Sequence, residues 1–337
     1  MLSHIPCKAV LVLLSALGLA ACGGGGGSSG DDSPEPSSAL SLDNKGYSTR
    51  KAALNQQAEY ERTMTAYEST NAVAELVNDV IDEVIDLIVE AENSEALAAD
   101  GVSALAYNES LDLACENDGG SLRITDKSSG NMLELRYVFT NCKLTTAKEG
   151  PLLLRGSYTY KRNDSTEGPI ESANGSEAYD LTGTVLASDT PFVLRGGNSW
   201  TEYVNADAMQ ANFTLRTDVM EFLKGSDYVA LENYRSTTNI DENLVSSSAE
   251  FRLTSSALNG YVDYTTPTPV VVDLALDGCP LQGIIRMDGD GVVEVRHGRD
   301  TGTSFDIVVE INNNAVASYE TCDALDVEVY KGLPQTE

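Results

Sequence analysis

Leu133-Glu134-Leu135-Arg136-Tyr137 alternates apolar and polar residues without a break, the period of a strand whose two faces meet different surroundings. The same period recurs on both sides of it. Leu111, Leu113 and Cys115 alternate upstream, as do Leu122 and Ile124, and Phe213 with Leu215 and Val293 with Val295 repeat the pattern downstream. Between the runs stand Gly119-Gly120, Ser129-Gly130, Asn174-Gly175, Asn259-Gly260 and Asp288-Gly289. Asn-Gly and Asp-Gly favour tight hairpin turns because both residues tolerate positive φ. No helix-length pattern separates the strands, so neighbours in sequence are expected to pair as hairpins in an antiparallel sheet. Residues 101–337 are thus predicted to form a long β-meander, either one curved sheet or a sandwich.

Upstream the period changes. Val73, Val77, Val80, Val84, Leu87 and Ala91 alternate steps of four and three, and Leu76, Ile81, Ile85 and Ile88 widen them into one apolar face. Glu75, Asp79, Asp82, Glu83, Asp86 and Glu90 fall largely on the remaining surface. No basic residue lies between Arg62 and Arg123, so Glu-to-Lys pairs one turn apart cannot support this helix, and burial of its face must. The stripe is broader than a coiled-coil seam, which favours packing on the β region of the same chain. The expected fold class is α+β: an amphipathic helix within a helical segment at 48–100, packed on the mostly antiparallel meander as one body with two disulfides.

The N-terminus reads as an address. Lys8 is a short positive region, Ala9 to Gly18 are apolar, and Leu19-Ala20-Ala21-Cys22 opens onto Gly23 to Gly27, the layout of a secretory signal. The apolar run is too short for a spanning helix, which needs about 20 residues. Leu19-Ala20-Ala21-Cys22 resembles the lipobox of bacterial lipoproteins. The resemblance implies removal of residues 1–21, acylation of Cys22 as the new first residue, and attachment to a membrane. A glycine after the cysteine, here Gly23, implies by the rule of enteric bacteria an outer-membrane location in the Gram-negative envelope. Residues 22–47 then form an acylated tether, rich in Gly, Ser, Asp and Pro as far as about Ser38 and flexible by composition.

The formal net charge is −30, and removal of the signal takes Lys8 and no acid. Such a balance repels nucleic acid and anionic headgroups and suits contact with cationic peptides or divalent ions. Six cysteines are present. With one in the signal and Cys22 committed to lipid, Cys115, Cys142, Cys279 and Cys322 remain, an even number that reads as disulfides in an exported chain. Of the three possible connectivities, Cys115–Cys142 with Cys279–Cys322 closes the shortest loops. No C-x-x-C pair points to zinc.

Catalytic signals are sparse. His4 lies in the signal, leaving His297 as the one imidazole of the mature chain. Arg296-His297-Gly298-Arg299-Asp300 reads as a polar turn, and no G-x-S-x-G elbow accompanies it. No pair among so many acids stands out as a glycosidase dyad. Asp288-Gly289-Asp290-Gly291 resembles the opening of a calcium loop, but Val292 stands where that pattern wants an acid or Asn, and Val293 where it wants Gly. A hairpin turn is the better reading, with Asp288 and Asp290 kept as calcium candidates. The expectation is a non-enzymatic envelope lipoprotein for binding or assembly, with no cofactor and no nucleic acid. Its partners would be the membrane, through the anchor, and an envelope protein. The alternative is a carrier or chaperone for lipid or another apolar ligand, with a cavity between helix and sheet.

Overall fold

A computed structural model describes residues 42, 45–56, 58, 110–116, 119–146, 150–275, 280–304 and 306–321. Its strands are β1 (Ser110–Ala114), β2 (Ser121–Asp126), β3 (Met132–Thr146), β4 (Gly150–Glu167), β5 (Ile170–Val185), β6 (Thr190–Asn205), β7 (Gln210–Lys224), β8 (Asp227–Asp241), β9 (Leu244–Ser255), β10 (Gly260–Asp273), β11 (Pro280–Gly289), β12 (Gly291–Gly298), β13 (Ile307–Ile311) and β14 (Asn314–Tyr319). They form one 14-stranded sheet in sequence order, each strand antiparallel to the one before it. The predicted meander is therefore found, and the two-residue period accounts for it.

Register shows how alternation builds the buried face. Ile124, Tyr137, Tyr158, Tyr179, Gly196, Met220, Leu231, Leu253 and Val262 are Cα partners in turn from β2 to β10. Apart from Gly196, every member of that row is buried. The Tyr137, Tyr158 and Tyr179 rings stack in sequence at centroid distances of 5.5 and 5.3 Å, cross-strand contacts that stabilise the sheet beyond their burial. Leu113 of β1 and Tyr319 of β14 belong to the same apolar cluster. Register shifts interrupt the β3–β4, β6–β7, β8–β9 and β9–β10 ladders, and such bulges bend a strand and increase its twist.

The opposite face is ionic. Arg123 pairs with Asp112, Arg195 with Asp180, Arg252 with Asp263 and Arg296 with Glu310, all at 2.7–3.2 Å. These cross-strand pairs give a water-facing surface, unlike the apolar band of a lipid-facing barrel.

The expected α+β class is corrected to all-β. Among the described residues, the helical elements are 3-10 turns at Tyr47–Thr49 and Arg299–Thr301, Ala58 is the one residue in α-helical conformation, and every other described element follows the two-residue period. The start of the expected helical segment contributes an extended strap instead, and the helix centred on Val73–Ala91 lies outside the described residues. Asn174-Gly175 is also corrected. It is not a turn but the middle of β5, and Gly175 is glycine there because a Cβ would stand 2.4 Å from the Trp200 ring of β6. The other four glycine dipeptides lie at or beside hairpin turns.

One disulfide, Cys115–Cys142, joins the residue after β1 to β3 with a Cα–Cα distance of 5.3 Å. The expectation of two is corrected to this one among the described residues; Cys279 and Cys322 lie outside them. Closing a loop of sequence separation 27 contributes about 3.5 kcal/mol in the chain-entropy account.

The strap, residues 50–54, threads between β10 and the β11–β12 hairpin. Ala52 N–H donates to Tyr261 O at 2.8 Å, Tyr261 N–H to Arg50 O at 2.9 Å, Asp290 N–H to Ala52 O at 2.7 Å and Leu54 N–H to Asp290 O at 3.1 Å. Gly289 makes this approach feasible, since a Cβ there would lie 2.4 Å from Ala52 O. Just upstream, Tyr47 stands 6.3 Å from the Tyr228 ring, and Leu42 N–H donates to buried Glu221 at 3.1 Å. All these contacts fall at the end of the sheet that carries the β7–β8, β9–β10 and β11–β12 turns, here the strap end. The β2–β3, β4–β5, β6–β7, β8–β9, β10–β11 and β12–β13 turns lie at the far end.

Candidate functional site

Tyr158, Tyr160, Arg162 and Asp164 occupy alternate positions of β4 and so share its inner face. Register brings Glu177, Asn198, Trp200 and Glu202 opposite them, for Glu177 pairs with both Tyr160 and Asn198, and Gly175 with both Arg162 and Trp200. Toward the far end the inner face thus changes from apolar to polar and aromatic.

Two linked groups make up this cluster. Glu177 accepts hydrogen bonds from Tyr158 Oη at 3.2 Å, from Asn198 Nδ2 at 3.0 Å and from Tyr179 Oη. Burial, then the Glu177 charge, drives the Tyr158 and Tyr179 phenols far above their ordinary pKa, so both remain donors. The Asn198 Oδ1 atom is buried without a partner. Nearer the turns, Arg162 Nε donates to both oxygens of Asp164 at 2.8 and 3.0 Å. Its guanidinium lies 5.1 Å from the Trp200 ring centroid and 3.8 Å from Glu202. Burial opposes the charge on Arg162, but the Asp164 hydrogen bond and the surrounding anions hold its pKa above the ordinary value. Burial raises Glu202 despite Arg162, and Asp164 and Glu171 add to that shift. The result is a buried arginine–aspartate pair stacked on Trp200, with half-buried Glu202 as its most open carboxylate, a group suited to accepting from a donor at the edge.

Sequence reasoning passed over this cluster. Its signal was present in Tyr158-Thr159-Tyr160-Lys161-Arg162-Asn163-Asp164, where a two-residue period places two aromatics and an ion pair on one face.

His297 is not in a turn. It lies in β12 between Gly283 and Ile307, follows Val293 and Val295 on the inner face, and is 7% exposed. Neither ring nitrogen has a hydrogen-bond partner, whereas a serine-histidine relay occupies both. Burial is the leading cause that lowers its pKa to about 4. The folded protein therefore holds the imidazole neutral while the unfolded chain takes up a proton near pH 6.5. This contribution is present above pH 6.5 and is lost as pH falls toward about 4, a change of about 3 kcal/mol. Urea unfolding of wild type and His297→Leu at pH 7 and pH 4 measures it. Wild type is expected to lose about 3 kcal/mol more than the variant over that interval, and equal losses would refute the assignment.

Of the other sequence candidates, Cys115 and Cys142 are brought together, and Cys22, Cys279 and Cys322 lie outside the described residues. Asp288 faces cations already. Lys51 Nζ is 2.8 Å and Arg286 3.3 Å from its carboxylate, and the Lys51 hydrogen bond is the leading cause that holds it below its ordinary pKa. Asp290 holds the strap through its backbone. Among the described residues, no group of three or more His, Cys, Asp or Glu side chains is placed to hold a metal ion. Comparison of the chain with known protein families, curated proteins and solved structures finds no match.

Proposed function

We propose that this chain is a non-enzymatic lipoprotein of the Gram-negative envelope, anchored in the outer membrane through acylated Cys22, whose β body binds or assembles with an envelope partner. The observation that supports it most is the strap. The chain arriving from the tether is fastened to one end of the sheet by backbone bonds to Tyr261 and Asp290, while the polar cluster lies toward the other end. A body joined in this way stays mechanically coupled to its anchor and keeps a recognition face free.

Cys22→Ala is expected to abolish labelling by an alkyne fatty acid and to move the protein from the membrane to the soluble fraction, because the acyl chains supply the membrane affinity. Label retained in the variant would overturn the anchor. Phospholipid co-purifying with the soluble variant would favour the carrier function instead.

A further inference from the structure

The far end has a surface of its own. Ala206 N–H donates to Pro169 O at 3.2 Å, Glu242 N–H to Met209 O at 3.0 Å and Leu274 N–H to Asn243 O at 2.8 Å. These bonds lace the β4–β5, β6–β7 and β8–β9 turns and the residues just after β10 into one continuous rim. Tyr203, Met209 and Leu244 are exposed on it, at 39%, 51% and 44%, among the few large apolar side chains the described surface leaves in water. Asp207, Asp241, Glu242 and Asp273 stand between them, and no Lys or Arg occurs in residues 203–210, 240–244 or 271–275. Basic residues stand elsewhere: Lys127 and Arg299 in the β2–β3 and β12–β13 turns that flank the rim, and Lys45, Arg50, Lys51 and Lys224 at the strap end, where they offset Asp189, Asp227, Asp288 and Asp290. β3 has 15 residues, so the two ends stand about 50 Å apart.

Building on the binding function proposed above, we infer that the far-end rim is the docking surface for a cationic, amphipathic segment of a partner protein. Basic side chains of that segment meet Asp207, Asp241 and Glu242, and its apolar side chains cover Met209 and Leu244. Charge selects this occupant. A second copy would bring the same acids to the rim, and anionic headgroups would be repelled by it. The lacing of the turns fixes the rim before binding, so little ordering opposes association.

A short synthetic peptide of lysine and leucine, forming an amphipathic helix, is the probe. Its binding to the detergent-purified full-length protein is read by fluorescence anisotropy, which needs no acylation and so is independent of the anchor. Asp207→Lys with Glu242→Lys is expected to weaken binding by at least about tenfold. Met209→Ser with Leu244→Ser is expected to weaken it several-fold at unchanged net charge. Asp189→Lys with Asp227→Lys at the strap end makes the same charge change and is expected to leave affinity within about twofold. Equal losses from both ends would show attraction to overall charge and overturn the inference. So would unchanged affinity in the serine variant, or no binding by wild type. All these positions are exposed, and thermal melts of each variant check folding.

Discussion

Leu54→Asp should cost the protein at least about 4 kcal/mol and release the strap. Leu54 is fully buried, and its side chain lies so close to Gly289 that a Cβ there would stand 3.0 Å from Leu54 Cδ1. The aspartate would lose the leucine's apolar burial and leave a carboxylate unpaired in the apolar cluster that Leu54 shares with Met287, Val293 and Ile311. Either the charge is buried unpaired or the strap leaves its slot, and leaving breaks the bonds to Tyr261 and Asp290. Leu54→Ala provides the graded case, at about 3 kcal/mol. Urea unfolding of both variants, with hydrogen exchange at Ala52 and Leu54, distinguishes the routes. A Leu54→Asp protein of wild-type stability would show that the strap adds nothing to the core.

Gly156→Val is expected to prevent accumulation of folded protein. Gly156 has φ of +110° and sits where the β3–β4 ladder shifts register. A Cβ there would lie 2.0 Å from the Asp180 carbonyl oxygen, a backbone atom in the next strand that cannot yield. Valine adds a β-branched side chain in a region of backbone space it avoids, so the expected cost exceeds about 4 kcal/mol. Gly168→Ala tests the argument by contrast. Its φ of +63° is left-handed too, but no atom lies within 4 Å of a Cβ there, so the cost should be about 1 kcal/mol. Comparable soluble yields of the two variants would refute the steric account.

The meander was legible because its evidence is local. Alternation at Leu133-Glu134-Leu135-Arg136-Tyr137 and dipeptides such as Ser129-Gly130 act within a few residues of the structure they specify. Asn174-Gly175 failed because a glycine in the middle of a strand carries the same letters as a turn; only the position of Trp200, 25 residues later, tells them apart. His297 was misread for a related reason. Gly298 and the charged residues around it suggested a turn, while the weaker continuation of Val293 and Val295 set its face. The polar cluster needed register as well as period, since Arg162 and Glu202 meet only because β5 lies between them with Gly175 in place. The strap was invisible: no pattern in Arg50-Lys51-Ala52-Ala53-Leu54 announces a slot lined by Gly260, Gly289 and Gly291.

The strap also sets an order of assembly. Every strand of the sheet pairs with its neighbour in sequence, so hairpins can form one after another as the chain becomes available, each closing only a short loop. Asn55 and Asp290, by contrast, meet across 235 residues. The first described segment of the body to emerge is therefore the last to find its place, and it must wait until the β11–β12 hairpin exists. During that interval the segment that carries Leu54 hangs free of a nearly finished sheet, and docking of Leu54 is the step that joins the upstream chain and the sheet into a single mechanical unit.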